Sequence, residues 1–385
     1  MTRPLLVIFL TIFVNLVGFG IIIPLLPFYA ETFGASPLTI GLLFAIFSLG
    51  QLVAAPVLGD LSDKYGRRPI LILSLAGTVV SLVLLALASS LAMLFVARLI
   101  DGLSGGNIST ARAYVADVTA PKDRARAYGL IGAAFGLGFI LGPAISGVLS
   151  HFSYAAPIWA AAGLTLIATA LAIFWLPESS TRVAAGTGAP FRNLLAMMQR
   201  PGLRRVLAID FGYWFAFAVF QTTFALFVAG RFGFDAPQTG YLFAAFAVLG
   251  ASVQGLMIRP FVNRFGDKRT FILGLLLTCV GLVAASFTHD LTLFILSLVP
   301  LSLGIGFGHP TVASLVSRAA RADEQGRVQG AASVMESLGR TIGPIWGSAS
   351  LQRYGDAMPY VSAAGLLLLA LLLSLGYSVS DPEPI

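Results

Sequence analysis

Charge is scarce in this chain: Asp, Glu, Lys and Arg make up only 11% of its 385 residues, whereas 57% are hydrophobic. With a mean hydropathy of +0.89, a water-soluble domain of this length is excluded, because too few polar side chains exist to cover its surface. Cysteine is nearly absent. Cys279 stands alone, which rules out an internal disulfide and gives no basis for a thiolate metal site. No phosphate loop of the GxxxxGK[ST] type is present, nor any nucleophile–base or metal-ligand constellation, so no enzyme, ATP-driven pump, metal or cofactor is expected. The basic balance, with a pI near 9.8, does not point to nucleic acid, since the cations are scattered over the ends of hydrophobic segments and form no continuous face.

Long apolar runs are what the chain has in abundance. Twelve are read, over 5–30, 39–59, 70–88, 92–115, 127–149, 157–176, 204–229, 239–258, 270–287, 292–316, 329–350 and 359–379. Each is long enough to cross a hydrocarbon core of about 30 Å as a helix. The expected fold is therefore an all-α integral membrane protein of twelve transmembrane helices, with the lipid bilayer as its solvent. The first run contains Pro24 and Pro27, is too long for a secretory leader and precedes no convincing cleavage site, so it is read as a retained helix. With the N-terminus inside, about 20 of the 24 Lys and Arg fall on one side of the membrane, the positive-inside pattern. Arg231 and Arg353 fall on the other side, and Arg98 and Arg340 lie within spans. An even helix count then puts both termini in the cytoplasm.

The one long polar stretch, from about 177 to 203, reads as a linker with a short amphipathic piece. It divides the chain into 1–176, the linker 177–203, and 204–385, six helices on either side. The halves echo one another. "LSDKYGRRP" at 61–69 returns as "FVNRFGDKR" at 261–269, Arg126-x-x-Gly129 as Arg327-x-x-Gly330, and Gly142-Pro143 as Gly343-Pro344. Secondary transporters are commonly built from such repeats, with a substrate site between them near the midplane.

"GDLSDKYGRRP" at 59–69 resembles the helix 2–3 loop motif of the major facilitator superfamily, with Gly59, Asp63, Lys64, Gly66, Arg67 and Arg68 in place. "GAAFGLGFILGPAISG" at 132–147 is similar to the helix 5 motif of its antiporters, through Gly132, Gly136, Gly142, Pro143 and Gly147. "RLIDGLSGGN" at 98–107 resembles the helix 4 arginine motif of the branch related to tetracycline exporters. The resemblance covers essentially the whole chain and implies a drug/proton antiporter scaffold in two pseudo-symmetric six-helix halves. Departures from the tetracycline exporters accompany it. Asn15 stands where they carry an acid in helix 1, and Ser81, Gly250 and Thr278 stand at further acidic or histidine positions. These losses argue against tetracycline as the substrate.

An ionised side chain at the bilayer centre costs on the order of 2.5 to 3.5 kcal/mol, so each one retained needs a partner or a task. Arg98 and Asp101 share a helical face three residues apart. Two readings stand: Asp101 carries a proton, or the pair is a permanent brace. Glu336 and Arg340, four apart, either take part in coupling or neutralise one another. Asp210, five residues beyond Arg205, reads either as an interfacial carboxylate paired near the cytoplasmic rim or as a functional acid, and His309 as a satisfied polar residue or a relay. Asn15, Asn107, Gln221 and Gln254 either orient a polar substrate or bond helix to helix. For Asn107 and Gln254 the family pattern, which carries polar residues at both, favours the cavity. Phenylalanines such as those of "YWFAFAVF" at 213–220 either wall an apolar pocket or face lipid and neighbouring helices.

By motif match, the resemblance places Asp63 at the amino end of helix 11 in an outward-open form, where the helix dipole favours a carboxylate. It pairs Arg67 with Asp117 to hold the inner gate, with Arg68 beside them. Asn263 stands where Asp63 would be in the second half. The expected function is efflux of small amphipathic or lipophilic compounds in exchange for protons, by a monomer in a bacterial-type inner membrane. The alternative is a facilitator or importer of a polar metabolite such as a sugar, without antiport.

Overall fold

The computed structural model describes residues 3–105, 107–119, 123–179, 190–321 and 324–376. Every regular element among them is helical. The first group comprises α1 (Arg3–Glu31), α2 (Pro37–Tyr65), α3 (Arg67–Ala86), α4 (Leu91–Ser104), α5 (Asn107–Val118), α6 (Arg124–Leu149) and α7 (Ala155–Trp175). After it come α8 (Pro190–Met198), α9 (Pro201–Phe232), α10 (Ala236–Ser252), a π-helical turn (Val253–Met257), α11 (Ile258–Phe287), α12 (Leu291–Arg318), α13 (Gln325–Tyr354) and α14 (Ala357–Leu375).

Nine spans among the described residues are long and apolar enough to cross a membrane. The longest, Ala236–Phe287, has 52 residues. At 1.5 Å per residue it would extend about 78 Å, far more than one crossing needs. Gly266, at φ 79° and ψ 165°, breaks it into two. α13 is 30 residues long and fails only on polarity, since it carries Arg327, Glu336 and Arg340. The single helix expected over 92–115 is divided between α4 and α5. The chain leaves the helix at Gly105, whose carbonyl is taken by the side chain of Gln51 at 3.2 Å. Counted this way, the helices make the twelve crossings of the fold.

Contacts group the chain into two compact units, 1–187 with 234–245, and 188–233 with 246–385. Their internal packing repeats. α1 lies along α6 and α3 along α7 in the first, as α9 lies along α13 and α11 along α14 in the second. Local start signals repeat too. Ser36, preceding Pro37, caps α2 by accepting from the Thr39 amide, and Asp235, two before Pro237, accepts from the Gln238 amide at 2.9 Å. Ser90 caps α4 as Asp290 caps α12.

The cores differ in material. In the first unit Val7, Ile8, Ile12, Leu71, Leu75 and Tyr114 form an aliphatic centre between α1, α3 and α5. In the second, Phe220, Phe224 and Phe227 recur at helical spacing on α9 and are fully buried. Phe227 stacks on Tyr360 at 4.7 Å and on Phe294 at 5.4 Å. Those phenylalanines are core. Phe174, 81% exposed, and Trp175 belong to the apolar outer surface that a bilayer covers.

Candidate functional site

The most deeply buried charge is Arg98, 1% exposed, with Asp101 at 8%. Both project from one face of α4, and Arg98 Nη1 donates to Asp101 Oδ2 at 2.8 Å. Glycine makes the placement possible. A Cβ at Gly102 would strike the Phe47 carbonyl, and one at Gly50 would lie 3.1 Å from the Gly102 backbone, so α2 and α4 touch main chain to main chain. Phe47 consequently lies over the Arg98 guanidinium, 4.2 Å from its ring centre. Ser81 of α3, itself buried, is a polar neighbour of the Asp101 carboxylate.

The loop between α2 and α3 forms a second cluster. Arg67 pairs with Asp63 one helical turn away. Its Nε reaches Asp117 Oδ2 on α5 at 3.3 Å, and its Nη1 donates to Ser62 at 2.7 Å. Ser62 in turn donates to the Gly59 carbonyl at 2.8 Å. Arg68 crosses to α7 and caps it by donating to the Ile173 carbonyl at 2.6 Å. Gly66 turns the chain at φ 103° and ψ 155°, a region closed to other residues. Glu178, which follows α7, accepts from the Arg67 and Arg68 amides at 2.9 and 3.3 Å. It thereby places a carboxylate at the positive end of α3. A Cβ on Gly66 would come within 2.5 Å of that carboxylate.

The echo loop of the second unit uses the same backbone and different charges. Gly266 repeats the positive φ, and Lys268 donates to the Leu375 carbonyl at the end of α14 at 3.2 Å. Asp267 pairs with Arg318 of α12 at 2.7 Å.

Of the helix 5 motif, Gly142 packs against Gly20 and Val17 of α1, with the Pro143 ring beside Gly20. Gly147 receives the start of α10: a Cβ there would lie 3.0 Å from the Pro237 carbonyl, and one on Gly240 would lie 2.7 Å from the Gly147 backbone. Gly132 is exposed with open space about it, and Gly136 is half-buried. Asn15 is half-buried, Gln221 is buried in the second unit, and Gln254 is exposed on the π turn. Asn107 opens α5, and its side chain lies outside the described residues.

In the second unit Glu336 and Arg340 stand 3.6 Å apart on α13. His309 of α12 is enclosed edge-on by Trp214 at 4.5 Å, Phe217 at 5.8 Å and Tyr213 at 5.9 Å. Asp210 is not an interfacial partner of Arg205. It is 4% exposed, and Arg205 instead donates to the Gly376 carbonyl at 2.6 Å.

Three contributors escape a reading of the sequence: Asp210, Glu178 and Arg231. Asp210 had a signal, an acid inside an apolar run. Glu178 looked like part of the linker. Arg231, only 6% exposed in its side chain, forms a two-pronged pair with Asp356 at 2.7 and 2.8 Å. Its third nitrogen donates to the Ala285, Ser286 and Thr288 carbonyls that end α11. Those Arg231 hydrogen bonds hold the Asp356 carboxyl below its ordinary range.

Repeated halves of membrane-crossing helices, with ion pairs kept in apolar surroundings, define a multi-pass membrane transporter. A model of the Major Facilitator Superfamily matches residues 8–260 and 206–385, and the chain belongs to that superfamily. It is 33% identical over 89% of its length to the class C tetracycline resistance protein of Escherichia coli, covering 88% of that protein. It is 30% identical over 87% of its length to Multidrug resistance protein 1 of Bacillus subtilis (strain 168), covering 86% of it. Among solved structures, the human organic anion transporter MFSD10 (TETRAN) superposes with a TM-score of 0.76 at 26% identity, covering 97% of this chain and 99% of that one. A bacterial homologue of the lysosomal transporter Spinster gives 0.78 at 16% identity, over 99% and 98%, a likeness of fold alone.

Proposed function

We propose that the chain is a proton-coupled antiporter that exports small amphipathic or lipophilic compounds by alternating access. The Arg98–Asp101 pair carries the reading. An acid held inside the apolar interior by one guanidinium exchanges a proton when that pair loosens. The printed names of the relatives, tetracycline and multidrug resistance proteins, support the efflux class. Asn15, Ser81, Gly250 and Thr278 stand where the tetracycline exporters carry acids or histidine, and these losses argue against tetracycline as the substrate.

In this scheme bundles 1–176 and 204–385 rock about the 177–203 linker. Asp63, Arg67 and Asp117 latch the inner gate, Gly142 and Gly147 permit close backbone approach of neighbouring helices, and Asn15, Asn107, Gln221, Gln254 and His309 line the path. The protein works as a monomer in a bacterial inner membrane, with both termini inside. One proton crossing 100 mV yields about 2.3 kcal/mol, enough for a gradient of roughly 50-fold. A second reading, facilitated passage of a polar metabolite, draws on Asn15 in place of the helix 1 acid.

Proteoliposomes with an imposed pH gradient and a fluorescent lipophilic dye decide between them. Gradient-driven dye movement lost in Asp101→Asn supports antiport. Movement independent of the gradient, or unchanged in the variant, overturns it.

A further inference from the structure

The acid on α9 has no counterpart in the first unit: Leu10 occupies the place 200 residues before Asp210. Asp210 is buried and its Oδ2 has no hydrogen-bond partner, with Trp214 one turn along α9. A buried carboxyl that serves structure alone is ordinarily satisfied at both oxygens. α13 is pressed against this point. A Cβ on Gly339 would lie 2.8 Å from the Phe215 amide and 3.1 Å from Trp214 Cβ. That approach brings Glu336 into electrostatic range of Asp210 and puts Arg340 over the Trp214 ring at 6.0 Å.

We propose that Asp210 and Glu336 form a second proton-binding site, in which one proton is shared between two carboxyls facing one guanidinium. Charge counting leads there. With both acids ionised, two like charges would face one another across an apolar interior in which Asp210 Oδ2 has no donor, and a low dielectric disfavours the second charge. One proton from hydronium, forming an O–H bond on either carboxyl, removes it. Glu336, with a third of its side chain exposed, is the entry, and Asp210 is the interior seat. The other titratable groups facing the site are His309 of α12 and Tyr213 of α9 itself. His309 meets aromatic edges and makes no ion pair with either acid, while Tyr213 is directed to the Ile305 carbonyl.

The site deepens the antiport reading, yet its occupancy is an equilibrium property that needs no substrate. The test is infrared spectroscopy of the full chain in lipid nanodiscs, read in the carbonyl-stretch region of protonated carboxylic acids, with Asp101→Asn as background to remove the first-half acid. At about pH 7 a band should be present, should vanish on adding Asp210→Asn, and should shift on adding Glu336→Gln. If Asp210→Asn does not fold, Asp210→Glu should move the band. His309→Gln should leave it in place. Absence of any band dependent on Asp210 between about pH 5 and 9 overturns the site. Failure of gradient-driven dye transport by the unsubstituted chain, with the band intact, overturns antiport and leaves the site standing.

Discussion

Arg318 and Asp267 form, at 2.7 Å, the charge-reversed counterpart of the Arg67–Asp117 pair. Position 267 lies 200 residues after Arg67 and position 318 lies 201 after Asp117, so the repeat keeps the contact and exchanges the signs. Asn263 in place of Asp63 therefore leaves the second loop with an ion pair of its own. Coulomb attraction is indifferent to which helix carries the cation, so duplicated backbones permit such an exchange.

The second-half pair is the cleaner one to swap, since Arg67 also serves Asp63 and Ser62. Asp267→Arg alone and Arg318→Asp alone should each lower the melting temperature, and the double exchange should restore most of it. With Arg318 mostly exposed, the coupling in the cycle should be about 0.5 to 1 kcal/mol, weakening with salt. Additive losses would show that the two residues do not interact.

Gly66 and Gly266 share a positive φ and differ in surroundings. Gly266→Ala should cost about 1 to 3 kcal/mol from backbone strain alone. Gly66→Ala should cost more, because its Cβ also meets the Glu178 carboxylate. Glu178→Ala should recover part of that excess in the double variant, and thermal unfolding of the four proteins measures it. Equal losses at the two glycines would contradict the geometry.

Stability and transport should separate at Arg98 and Asp101. Arg98→Met alone leaves a carboxylate buried without its cation and should cost about 3 to 5 kcal/mol. Arg98→Met with Asp101→Leu should recover most of the stability, while remaining inactive in gradient-driven dye transport. A double variant that is stable and still coupled would remove Asp101 from the mechanism.

Arg231 and Asp356 give a pH dependence whose direction follows from the hydrogen bonds. Because the folded carboxyl titrates below its unfolded value, the pair stabilises fully above the unfolded pKa of about 4. That contribution disappears as pH falls through the lower, folded value. Asp356→Asn should remove this acid-side loss and cost under about 1 kcal/mol at neutral pH, since the carboxylate is partly exposed. Arg231→Gln should cost more, about 2 kcal/mol, because it also strands the carbonyls at the end of α11. Melting temperatures from about pH 3 to 7 test both.

Apolar runs, scarce charge and echoes 200 residues apart determine by themselves that this chain crosses a membrane repeatedly in two related halves, because hydrocarbon admits only backbone that satisfies its own hydrogen bonds. The loop motif likewise marked Gly66 and Arg67, since a Gly-only turn and a clustered cation are visible as residue types. The partners were decided only in three dimensions. Glu178 reaches α3 from 111 residues away, Arg231 meets Asp356 across 125, and Asp267 meets Arg318 on another helix. Helical spacing reports which residues share one face of one helix, as at Arg98 and Asp101. It does not report which helix lies opposite, so spacing alone puts Asp210 near Arg205, whereas packing of α9 against α13 buries it.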